Sequence, residues 1–164
     1  MMQLFDTHTH FDVADFDHDR QHLAVQAKQV GVEALVLIGF IESRFDELIQ
    51  THQQWQHWEN VPQCYLAPGL HPFYIEQHRQ AHLQRLEQVL KQHDCVAIGE
   101  IGLDTFLKQH KRPDSFVKQQ HYFNAQLELA THYQKPVLLH IRKAHAEALA
   151  ILKAQKFKLG GIAH

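Results

Sequence analysis

The sequence predicts an α/β fold built on a parallel sheet, and three observations carry the prediction. Short apolar runs alternate with segments of helical periodicity, five times over. The runs are nearly continuous in apolar residues, as strands covered by helices require. Polar, chemistry-bearing residues end several successive runs rather than one. An open doubly wound sheet gathers its ligand residues at one switch point, whereas every strand end of a barrel can contribute to one site. No GxGxxG fingerprint follows the first run, and the spread of polar ends favours the barrel. The expected architecture is therefore of the (β/α)8 TIM-barrel type, a single domain over residues 1–164.

The elements follow in order. "QLFDTH" is the first strand-like run. "DRQHLAVQAKQVG" carries Leu23, Ala27 and Val30 at helical spacing and stops at Gly31. "VEALVLIGF" is the second run, and "SRFDELIQTHQQWQHW" the second helix, with Ser43 as its N-cap. "CYLAPGLHP" is the third run, followed by a stripe of Leu83, Leu86, Val89 and Leu90. "CVAIGEIGLD" is the fourth. The long helix "PDSFVKQQHYFNAQLELATHYQ" has Pro113 near its first turn and Asp114 or Ser115 as its cap. "KPVLLHI", the helix "KAHAEALAILKAQ" and the run "LGGIAH" complete the series. That makes about six strands and five helices.

Composition narrows the function. With 45% hydrophobic residues the chain can bury a real core, and its net charge of -2 gives no field for charge-driven binding to a polyanion. An enzyme that grips phosphate through metal ions is not excluded. No leader-like apolar run and no membrane-length segment is present, so a cytoplasmic location is the default expectation. Cys64 and Cys95 fall at strand starts without CxxC spacing and read as reduced core residues. Many of the 16 histidines lie beside Gln in helical stretches such as "THQQWQHWEN" and "EQHRQAHLQRL", and read mostly as solvated-face residues.

The strand ends tell a different story. His8 and His10 end the first run, His71 the third, Glu100 and Asp104 the fourth, His140 and Arg142 the fifth, and His164 the sixth. Alternate strand residues share a face, so His8 and His10 project together. Imidazoles and a carboxylate converging on a barrel axis form a divalent-metal set. A carboxylate after the apolar "VAIG" is costly unless paired or metal-bound. At His71 a loop histidine held by Pro72 fits as well, and at Arg142 an ion pair at the barrel rim. Asp104 suits either orienting a ligand or capping its loop.

"FDTHTHFD", "GLHP", "AIGEIGLD", "PVLLHIRKAH" and "GGIAH" resemble, in order and over the whole chain, the motifs of the TatD family of metal-dependent deoxyribonucleases, within the amidohydrolase-like barrels. The resemblance implies two divalent metal ions (Zn, Mg, Mn or similar). His8 and His10 resemble the ligands of one, Glu100 the carboxylate bridging both, and His140 and His164 the ligands of the second. His71 and Arg142 resemble positions near the substrate phosphate, with Asp104 beside them. It further implies hydrolysis of phosphodiester bonds in DNA, as an exonuclease, with paired metals ~3.5–4 Å apart activating a bridging water and Glu100 as the catalytic carboxylate.

A complete barrel of this type usually needs about 250 residues, and family members carry a further Asp ligand beyond this sixth run. The expectation from sequence is thus an incomplete barrel, with strands seven and eight absent. The open sheet edge would be covered by a dimer or by a missing C-terminal part, and no membrane is involved. Two alternatives stay open: a hydrolase of a small ester or amide on the same barrel, and an inactive metal-binding fragment.

Overall fold

The computed structural model describes residues 3–163. Six strands alternate with five helices: β1 (Leu4–Thr9), α1 (Arg20–Gln29), β2 (Val32–Ile38), α2 (Phe45–Trp55), β3 (Gln63–Ala67), α3 (Gln80–Gln92), β4 (Ile98–Asp104), α4 (Pro113–His132), β5 (Val137–Arg142), α5 (His145–Ala154) and β6 (Gly161–Ala163). All pairings are parallel, in two three-stranded sheets ordered β1-β2-β3 and β4-β5-β6. The sheets meet where β3 runs alongside the chain entering β4. A parallel bridge joins Leu66 and Cys95, and Val96 N–H donates to Leu66 O at 2.9 Å.

The strands bury residues on both faces, as their apolar runs require. Leu35 and Leu37 of β2 belong to the main core cluster, together with Phe45, Leu48, Leu86, Phe123 and Leu127 of the helices. Val36 and Ile38 face the other way, into a small cluster with Ala67, Ala97 and Leu138 from the neighbouring strands. The second cluster draws its residues from strands and the segment before β4, with none from the helices.

Two expected caps are corrected. Glu42–Arg44 forms a 3-10 turn, so α2 begins at Phe45 and Ser43 does not cap it. Helix α4 begins at Pro113 itself, because proline's fixed φ and missing N–H suit a first helical position. Asp114 and Ser115 therefore lie inside its first turn. Val30, expected on the buried stripe of α1, is 71% exposed, and Ala24 takes the buried position. Cys64 and Cys95 are buried free thiols, and burial pushes each up to about 12. Among the described residues no helix is long and apolar enough to cross a membrane.

Two glutamines of α4 tie the sheet's polar end together. Gln126 accepts from Leu70 N–H at 2.7 Å and donates to Leu70 O at 3.1 Å. Gln119 accepts from Asp104 N–H at 2.8 Å and donates to Asp104 O at 3.0 Å. Both are buried, and they lie seven residues apart on one helical face. They thereby satisfy loop backbone groups that would otherwise be orphaned after β3 and β4.

Candidate metal centre

Glu100 lies in the middle of β4, 3% exposed, with four imidazoles around its carboxylate. His8 Nε2 is 3.3 Å and His10 Nε2 4.0 Å from Oε2. His71 Nε2 is 3.4 Å from the same oxygen, and His140 Nδ1 is 3.1 Å from Oε1. Burial alone would push the Glu100 carboxyl up. The imidazoles of His140, His71 and His8 outweigh it and hold the group well below the usual carboxylate range.

The hydrogen bonds on the far side of each ring decide which ring can ligate. His10 Nδ1 faces the carbonyl of Ile38 at 3.1 Å. A carbonyl only accepts, so Nδ1 carries the hydrogen and Nε2 turns a lone pair toward Glu100. His71 is the reverse. Its Nδ1 accepts from Phe73 N–H at 2.9 Å, capping the turn Pro72–Tyr74, so in the neutral ring Nε2 carries the hydrogen. Burial pushes the His71 imidazole down, against the pull of Glu100, which favours that neutral form. His71 is thus a hydrogen-bond donor into the site. His140 stands between two carboxylates, with Nε2 3.0 Å from Asp104 Oδ2. Burial opposes its charge, but Glu100 and Asp104 together raise its pKa.

Among the described residues, two groups each bring their donor atoms within 4.8 Å of one another: His8, His10 and Glu100, and His71, Glu100 and His140. The first fits a divalent cation in residue type and, at His10, in tautomer. In the second, Glu100 and His140 fit but the capped His71 does not. His164, the remaining expected ligand, lies outside the described residues.

The other expected residues fall into place around this pair. Asp104 is buried, 1% exposed, and accepts from Phe106 N–H at 2.8 Å while holding His140. It caps its loop and orients a ring at once. Burial raises its pKa and the Phe106 N–H and His140 lower it further, so it stays ionised. Arg142 ends β5 in solvent, with its guanidinium 3.6 Å above the Phe106 ring rather than on the carboxylates. Carboxylate partners of ligating histidines are worth roughly 10–100-fold in metal affinity. Asp104→Asn is therefore expected to weaken metal binding by about that factor while leaving the fold intact, as read by calorimetric metal titration.

Sequence reasoning missed several supports. Arg20 donates to the carbonyls of Phe11, Val13 and Asp12 at 2.7, 2.9 and 3.1 Å, fixing the loop that leaves His10. His78, expected on a solvated face, is fully buried and donates Nε2–H to His71 O at 2.9 Å. It precedes α3, so helical periodicity says nothing about it. Burial pushes the His78 imidazole down to about 4. The unfolded chain, with an ordinary pKa near 6.5, binds the proton first as pH falls. Stability linked to His78 is thus full above about pH 6.5 and lost toward pH 4, by about 3 kcal/mol. Urea midpoints at pH 7 and 4.5 should diverge less in His78→Gln, whose amide keeps the donor without the titration.

A pocket of about 370 Å³ opens beside Glu100, lined by His10, Val13, Phe40, His71, Phe73 and Tyr74. The arrangement is an acidic, imidazole-rich floor beside an aromatic wall.

The family model described as TatD related DNase matches residues 5–164. The chain is 33% identical over 164 residues to the uncharacterized metal-dependent hydrolase YjjV of Escherichia coli (strain K12), covering 99% of this chain and 60% of that protein. It is 31% identical over 158 residues to a protein of Cronobacter turicensis named 3'-5' ssDNA/RNA exonuclease TatD, covering 96% of this chain and 56% of that one. The crystal structure of YjjV, described as a TatD homolog, superposes with a TM-score of 0.83 at 32% identity, over 98% of this chain and 59% of its own. The chain thus spans about 60% of the length of YjjV.

Proposed function

The chain belongs to the TatD family of metal-dependent hydrolases, and on that premise we propose that it serves the hydrolysis of phosphodiester bonds in DNA, shortening a strand from its end. The observation that carries the reading is the convergence of four imidazoles on the buried Glu100 carboxylate. The exonuclease names of several relatives support the choice of substrate.

His8, His10 and Glu100 would hold one divalent ion, and Glu100 with His140 would reach a second, His164 completing that set. Ions bound there supply Lewis-acid charge at the phosphate and a water of lowered pKa. Glu100, kept ionised, would be shared by both ions and supply the negative charge that holds them. His71 donates Nε2–H to a phosphate oxygen. Arg142, stacked on Phe106 and exposed, supplies a bidentate grip on a neighbouring phosphate. Asp104 positions His140 and keeps its tautomer.

The test uses the natural gene product, its intact mass measured against the 19.2 kDa of this chain. End-labelled single-stranded DNA is offered with Mg²⁺, Mn²⁺ or Zn²⁺, beside a panel of small esters and amides. The expected result is stepwise shortening from one end, abolished by EDTA and restored by the ion. Turnover of an ester or amide with DNA left intact would overturn the proposal.

A further inference from the structure

We propose that Phe40, Phe73 and Tyr74 form a base-stacking subsite that receives the terminal nucleobase of a single strand. The proposal rests on the phosphodiesterase reading above and extends it from the bond cut to the way the strand is held. These rings line the same pocket as His10, His71 and Glu100. A nucleotide whose phosphate lies over Glu100 carries its base one sugar away, and the aromatic wall is what borders that space. A volume near 370 Å³ is within the range of ligand pockets.

The wall is held before any ligand arrives. Phe40 packs edge-on against His10 at 5.1 Å and lies 5.5 Å from Tyr74, tilted by 32°. Phe73 meets Tyr74 edge-on at 5.2 Å and His110 at 5.7 Å. Its backbone N–H donates to His71 Nδ1, so the loop that aims the His71 donor also aims the ring. Yet Phe73 remains 45% exposed. A ring fixed by its neighbours and left open on one side is a stacking platform, indifferent to base identity because every base has a π-face. A small ester or amide would leave this wall unused, and a base inside a duplex could not reach it. The subsite therefore selects single strands.

Two readouts test this. In the first, oligonucleotides with one abasic residue at either terminus are compared with the intact strand. At the attacked end, kcat/KM should fall about tenfold or more, on the scale of stacking one base. Phe73→Ala should lose a similar factor on the intact strand and little on the abasic one, and Phe73→Trp should recover the loss. In the second, 2-aminopurine at the strand end should be quenched on binding in EDTA, and not in Phe73→Ala. Equal cutting of intact and abasic strands, or a Phe73→Ala loss of the same size on both, would overturn the subsite. Quenching without any cutting would sink the nuclease reading and leave the subsite standing.

Discussion

Glu100→Gln is expected to remove metal binding at both donor sets and, with it, turnover, down to the level left by EDTA and so by more than about 10²-fold. Among the described residues Glu100 is the one donor common to both sets. Glutamine keeps the volume and one acceptor oxygen but not the charge on which His8, His10, His71 and His140 converge. The fold is expected to survive. His140 keeps Asp104 as a partner. Metal-free melting should stay within about 2 kcal/mol of the parent, while the melting shift produced by added Zn²⁺ disappears. A variant that still binds Zn²⁺ with parent affinity would show that the carboxylate is a structural ion-pair partner and that the cation, if one binds, sits elsewhere.

The centre was legible in sequence to the extent that it sits at strand ends. His8 and His10 share a face by strand periodicity alone, and Glu100 after "VAIG" is a charge that an apolar strand cannot carry unpaired. What the sequence did not disclose are the groups that hold these residues. Gln119 and Gln126 look like two polar interruptions of an amphipathic helix. Only the contact of α4 with the ends of β3 and β4 turns them into backbone partners. Their spacing of seven on the face of Tyr122, Phe123, Leu127 and Ala130 was the available signal. His78 carried no signal, since it belongs to neither a strand nor the following helix. The tautomers of His10 and His71 were equally out of reach, because Ile38 O and Phe73 N–H fix them only in three dimensions. Ser43 failed as a cap for a local reason: the 3-10 turn uses the residues that a cap would need.

Gly102→Ala is expected to destabilise the protein by about 3–5 kcal/mol, a shift in Tm on the order of 10 °C. Gly102 stands between Glu100 and Asp104 on β4, at φ +144, and pairs in register with His140 of β5. A methyl group there would run into the His140 carbonyl, so β4 and β5 must part for it to fit. The strands that separate are those carrying Glu100 and His140, so metal affinity should fall together with stability. Gly160→Ala supplies the comparison. Gly160 also has a positive φ, +75, but a methyl group would meet nothing within 4 Å. It therefore bears backbone strain alone and should cost only about 1 kcal/mol. If the two variants melt alike, the close approach of β4 to β5 is not what demands glycine. If Gly102→Ala alone loses both melting temperature and metal, the second glycine of "GEIG" is there because the His140 carbonyl leaves no room for a side chain between the strands.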